Sequence, residues 1–167
     1  MPNIPLTGLM PPAMHRAALK LGERARRIWW RLRKPDLRGC ALVPVNAQGA
    51  VLMVRHSYRA QDEWQLVTGG VDRGETHEQA AHRELAEEVG LTAQVLTPVL
   101  REPVPMHGAL NDVIVFIAKV DGEPQIDMRE IAEARFFAPD ALPAPMSHWA
   151  RRYVAAALDH AGQSRSS

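Results

Sequence analysis

Residues 69 to 91, GGVDRGETHEQAAHRELAEEVGL, constrain this chain more than any other stretch, because they carry both ends and both faces of one helix. Thr76 followed by Gln79 is a capping box that starts the helix, and Gly90 sits where a helix stops in a left-handed turn. Between them Ala81, Leu85 and Val89 recur every four residues and form the stripe that must be buried. Glu84, Glu87 and Glu88 then share the remaining surface with Arg83, which lies one turn before Glu87. At a separation of about 5 Å and an effective dielectric near 20, each pair of these carboxylates repels by roughly 3 kcal/mol before salt screening. Two readings remain open on the helix alone. It could be a solvated acidic face with an Arg83–Glu87 pair, or a site for a hard divalent cation such as Mg²⁺ or Mn²⁺, which clustered carboxylate oxygens suit.

The rest of the chain reads as one α/β unit with additions. From Ala13 to about Arg33, Met14, Ala18, Leu21, Ala25, Ile28 and Leu32 recur at helical spacing, with arginines along another face. Residues 15 to 38 hold nine Lys or Arg against two acids, so this segment is basic, whereas the remainder is acidic. We therefore expect residues 1–36 to form an arm and a basic amphipathic helix. Its partner is open between docking or dimerisation on an acidic surface and contact with a membrane surface. No aromatic-and-basic sheet motif points to nucleic acid.

After Gly39 the periodicity changes to that of strands. CALVPV and AVLMVR flank NAQG and predict a hairpin, with Gly49 in the turn. EWQLV predicts a further short strand. AQVLTPVLRE and DVIVFIAKV predict two more, joined by a loop over 103–110, and EARFF predicts a last one. SHWARRYVAAALDH predicts a helix capped by Ser147, and AGQSRSS, residues 161–167, a disordered tail. Mixed strands with few helices argue for a layered α/β sandwich. The single cysteine, Cys40, excludes an internal disulfide framework and a Cys-based zinc site, which makes the cytoplasm the expected compartment.

The spacing Gly69, five residues, Glu75, seven residues, then Arg83-Glu84-Leu85-Ala86-Glu87-Glu88-Val89-Gly90-Leu91 is a complete match to the Nudix box, and the resemblance extends over about 37–160. It implies a Nudix-type α/β/α sandwich around a mixed β-sheet, to which the N-terminal helix is an extra. It also implies hydrolysis of a nucleoside diphosphate linked to another moiety, with Mg²⁺ or Mn²⁺ as cofactor and a small nucleotide as substrate. Carried over by position, Glu84, Glu87 and Glu88 would hold metal, Glu84 would also be a candidate to activate water, Arg83 would orient a carboxylate, and Glu75 would brace Arg83 and its loop. The family usually has Pro-Gly before the first box glycine. This chain has Val67-Thr68, and the Thr68 carbonyl is the group that would join the metal shell.

Outside the box, Arg55 and Arg59 follow the second strand and are candidates to grip phosphate or stack on a base. His107 and Asp112 lie at the 103–110 loop, where the family varies with substrate, and Glu133 is a candidate late in the chain. WQLVTGGVDRGET is similar to the corresponding segment of dihydroneopterin triphosphate pyrophosphohydrolases. The alternative to an enzyme is a catalytically silent Nudix-fold binding or regulatory module, in which a broken box would be expected. Here the box is intact.

Overall fold

A computed structural model describes residues 37–57, 63–106, 109–126 and 130–164. The elements in chain order are β1 (Leu37–Val45), β2 (Val51–His56), β3 (Val67–Gly70), α1 (His77–Val89), β4 (Ala93–Met106), β5 (Ala109–Val120), β6 (Ile131–Phe137) and α2 (His148–Ser164). The basic helix expected within residues 1–36 lies outside the described residues, and so do Arg59 and His107.

One mixed sheet organises the molecule. Its strand order is β4-β5-β1-β2-β6, with β3 also paired to β1. β1 runs parallel to β5 along its whole length, while its other edge is divided: its first half takes β3 antiparallel, and its last residue, Val45, meets Val51 of β2. Successive residues of β1 point to opposite faces, and both faces are covered. Cys40 and Leu42 pack on the face that receives Ala80, Ala81, Leu85 and Val89 of α1. Ala41 and Val43 pack on the face that receives Ala150, Tyr153, Val154 and Ala157 of α2. This is the α/β/α sandwich expected.

The expected hairpin forms, with Gly49 at φ 80° in its turn. Two strand boundaries differ from expectation. In EWQLV, Trp64 and Gln65 make only isolated bridges, and β3 starts at Val67, because its pairing partner is β1 rather than a neighbour in sequence. β4 runs through the expected loop to Met106, and β5 resumes at Ala109, with Pro103 opposite Asp112 and Pro105 opposite Leu110. β4 ends the strand order, and an edge strand tolerates prolines that a central one would not. At the C-terminus Ser147 caps α2 through its Oγ, which accepts from the Ala150 N–H at 3.2 Å. The helix then continues to Ser164 instead of giving way at Ala161, so the expected tail is helical over 161–164.

Candidate metal and anhydride site

α1 is fixed at both ends before it presents anything. The Thr76 hydroxyl accepts from the Gln79 N–H at 3.1 Å, and the Gln79 side chain accepts from the Thr76 N–H at 2.8 Å. Gly90 closes the helix at φ 66°. Leu85 and Val89 are fully buried, each contributing roughly 1.5–3 kcal/mol. That burial turns Glu84 towards the sheet and leaves Glu87, with 62% of its side chain exposed, facing out.

Arg83 ties the box together. Its Nε and Nη2 donate to the two carboxylate oxygens of Glu75, both at 3.0 Å, a bidentate pairing. Nη1 donates to Glu84 at 2.7 Å and to Glu87 at 3.3 Å, and Nη2 also reaches the Gly70 carbonyl at 2.9 Å. Glu75 further accepts from the Asp72 N–H at 2.9 Å. The loop 70–75 and the helix are thereby joined through one guanidinium.

These contacts set the charge states. The Arg83 hydrogen bonds, helped by the Asp72 N–H, hold the Glu75 carboxyl below the usual carboxylate range. Glu84 moves the other way. Burial raises it despite the Arg83 contact, and the Glu87 charge adds to the rise. Glu75 is therefore fixed as an anion, whereas Glu84 is the more basic of the two.

Glu84 lies against Gly69 of β3. A β-carbon on Gly69 would fall 2.0 Å from the Glu84 Cδ and 2.1 Å from its Cγ, so only glycine leaves the hollow that the carboxylate fills. Glu84, Glu87 and Glu88 offer only carboxylate oxygens, and residues of that chemistry would fit a hard divalent cation. As the side chains stand, Arg83 holds Glu84 and Glu87, and among the described residues no three His, Cys, Asp or Glu side chains converge on a metal position.

The remaining expected site residues fall into two groups. Asp112 is on the α1 face, gripped by Arg101 through Nε at 2.9 Å and Nη2 at 2.6 Å, while its backbone carbonyl lies 3.2 Å from the His77 Nε2. Arg55 and Glu133 pair across β2 and β6, and Arg135 also holds Glu133, at 2.6 Å. The Arg55 guanidinium lies 4.9 Å from the centroid of the Trp64 ring, which packs on the α2 side of the sheet. Thr68 is exposed in the short β3 strand beside Gly69. Sequence reasoning missed Arg38, whose guanidinium donates to the Glu75 carbonyl. It also missed Arg101. Neither belongs to a local motif, and both reach the site through strand register.

Residues 36–157 match the model of the NUDIX domain. The NAD-capped RNA hydrolase NudC of Salmonella heidelberg is 33% identical over 123 residues, which are 72% of this chain and 47% of that protein. The NudC of Escherichia coli O1:K1 is 32% identical over the same shares. The chain thus spans about half the length of these curated relatives. Among solved structures, a MutT NUDIX hydrolase from Burkholderia pseudomallei aligns with a TM-score of 0.63 at 28% identity, covering 72% of this chain and 96% of that one. The NUDIX domain of Shewanella oneidensis NrtR, solved with ADP ribose, aligns with a TM-score of 0.64 at 18% identity, covering 78% and 91%, a likeness of fold alone.

Proposed function

The chain belongs to the Nudix hydrolase family, whose members act on phosphoric anhydrides, and on that premise we propose that it is a Mg²⁺-dependent pyrophosphohydrolase cleaving a nucleoside diphosphate linked to another moiety. The observation that carries this reading is the Glu84 carboxylate, made more basic by burial and lodged over Gly69, with Arg83 tying it to Glu75. Glu84, Glu87, Glu88 and the Thr68 carbonyl are the groups that would hold the cation. Bound there, Mg²⁺ or Mn²⁺ supplies the positive charge that lets a pyrophosphate approach an acidic surface and polarises the phosphoryl group.

The chain's own residues do the rest. Glu84 takes a proton from water as the water oxygen bonds to phosphorus and the anhydride P–O bond breaks, leaving two phosphate monoesters from an internal pyrophosphate, or a nucleoside monophosphate and pyrophosphate from a nucleoside triphosphate. Arg83 holds Glu84 in place, and Glu75 holds Arg83. Arg55, stacked on Trp64 and paired with Glu133, is assigned to the nucleoside end, and Asp112 to the substrate-selecting region at the start of β5. Arg59 and His107 complete the proposed substrate contacts. Because the relatives include NAD-capped RNA hydrolases, a dinucleotide with an internal pyrophosphate is the first class to test.

Turnover of NAD, ADP-ribose, a nucleotide sugar, a dinucleoside polyphosphate and nucleoside triphosphates, each with Mg²⁺, with Mn²⁺ and with EDTA, tests the proposal. Metal-dependent release of a monophosphate from one class supports it. Binding of these compounds by folded protein with no turnover of any would establish the silent module instead.

A further inference from the structure

We propose that Arg38 is a positioning residue that clamps the box loop 71–75 at both ends and so fixes the line from Glu75 through Arg83 to Glu84. Its backbone carbonyl accepts from the Val71 N–H at 2.9 Å, where the chain leaves β3. Its guanidinium donates to the backbone carbonyl of Glu75, at the far end of the same loop. One residue of β1 thus spans the loop, and Glu75 is held from two sides: its carboxylate by Arg83, its main chain by Arg38.

The register keeps Arg38 where this works. The next residue, Gly39, pairs with Gly70 and with Val113, and a β-carbon on Gly39 would fall 2.9 Å from the Asn111 side chain and 3.3 Å from the Gly69 carbonyl. β1 is therefore packed closely between β3 and β5 at this point. Arg38 also pairs in register with Asp112, itself held by Arg101, so opposite charge lies on the other side of its strand. Loss of the Arg38 guanidinium leaves the Val71 bond, the Arg83 bonds and the 3.1 Å bond from the Glu75 N–H to the Asp72 carbonyl in place and frees only the Glu75 carbonyl. The effect expected is a looser loop and a misplaced carboxylate, not an unfolded domain.

This inference rests on the hydrolase reading for its kinetic arm, while its structural arm stands apart from it. Arg38→Met and Arg38→Lys are compared with the unaltered full chain in metal-free buffer by amide hydrogen exchange, and with Mg²⁺ by steady-state turnover of the substrate the screen returns. For Arg38→Met we expect faster exchange confined to residues 71–75, kcat down about tenfold and KM changed by less than about twofold. Arg38→Lys, which keeps a donor for the Glu75 carbonyl, should recover most of both. Unchanged exchange in Arg38→Met overturns the clamp. A raised KM with kcat intact also overturns it, in favour of direct substrate contact, and exchange rising across the whole sheet assigns Arg38 to the fold instead. If the unaltered chain hydrolyses no anhydride, the hydrolase reading falls, and the exchange arm alone still decides whether Arg38 clamps the loop.

Discussion

The carboxyl group of Glu84 occupies the space that a β-carbon on Gly69 would need, with the Glu84 Cδ 2.0 Å from that position. Gly69 is required for room, not for backbone conformation, since among the described glycines the positive φ values belong to Gly49, Gly74, Gly90 and Gly122. The overlap involves the Glu84 Cγ as well as its tip, so rotating the end of the side chain does not relieve it.

Gly69→Ala should therefore push Glu84 off its place above β3. The expected stability cost is about 1–3 kcal/mol, and turnover should fall on the order of a hundredfold through misplacement of the carboxylate. Gly70→Ala is the control, because a β-carbon there meets nothing within 4 Å. Chemical denaturation and kcat on the two variants check this, and equal effects at both positions would remove the steric account.

Substituting the three glutamates with glutamine separates charge from shape. Glu84→Gln, Glu87→Gln and Glu88→Gln keep helix formers of nearly the same volume, and each should lower turnover by roughly a hundredfold or more if the residue holds the cation or moves the proton. Glu87 is the discriminating case. Its Arg83 contact is 3.3 Å long and largely exposed, so its loss should cost less than about 1 kcal/mol. Glu87→Gln with near-normal turnover would reduce that residue to a surface ion pair.

What the sequence made legible was the part built from near neighbours. The cap, the buried stripe and the terminal glycine of α1 are relations within fifteen residues, and each reads directly from spacing. Strand order is a relation across the chain, so local pattern puts β3 a few residues too early and reads the prolines of β4 as a loop where an edge strand continues. Arg38 counted only as one more charge of the basic N-terminal segment. Its function depends on β1 lying beside the loop 71–75, which no local pattern encodes.

Cys40 should be chemically silent in the folded protein. Only 2% of it is exposed, and burial, with the nearby Glu84 charge next in importance, pushes its thiol up to about 12. A thiol reagent at pH 8 should label the native chain slowly and the denatured chain at the rate of a free cysteine. Rapid native labelling would mean that β1 opens beneath the box.

Glu75 and Glu84 should answer pH with opposite signs, which makes the pair a test of the electrostatic arrangement independent of any substrate. Hydrogen bonds from Arg83 hold Glu75 below its unfolded value, so its charge stabilises the fold above that value, and the contribution is lost as pH falls through the lower, folded value. Glu75→Gln should therefore melt below the unaltered chain at neutral pH, and the gap should close in acid. Burial holds Glu84 above its unfolded value, so its charge opposes folding at neutral pH, and that cost disappears as pH falls through the folded value to the unfolded one near 4.3. Glu84→Gln should melt at or above the unaltered chain at neutral pH in EDTA and converge with it in acid. Melting temperatures of the three proteins between about pH 2.5 and 7.5, without metal, contain both signs, because the Glu75 change lies below its unfolded value. If both variants melt lower at neutral pH by similar amounts, Glu84 is a structural partner of Arg83, and its assignment as the proton acceptor loses its physical basis.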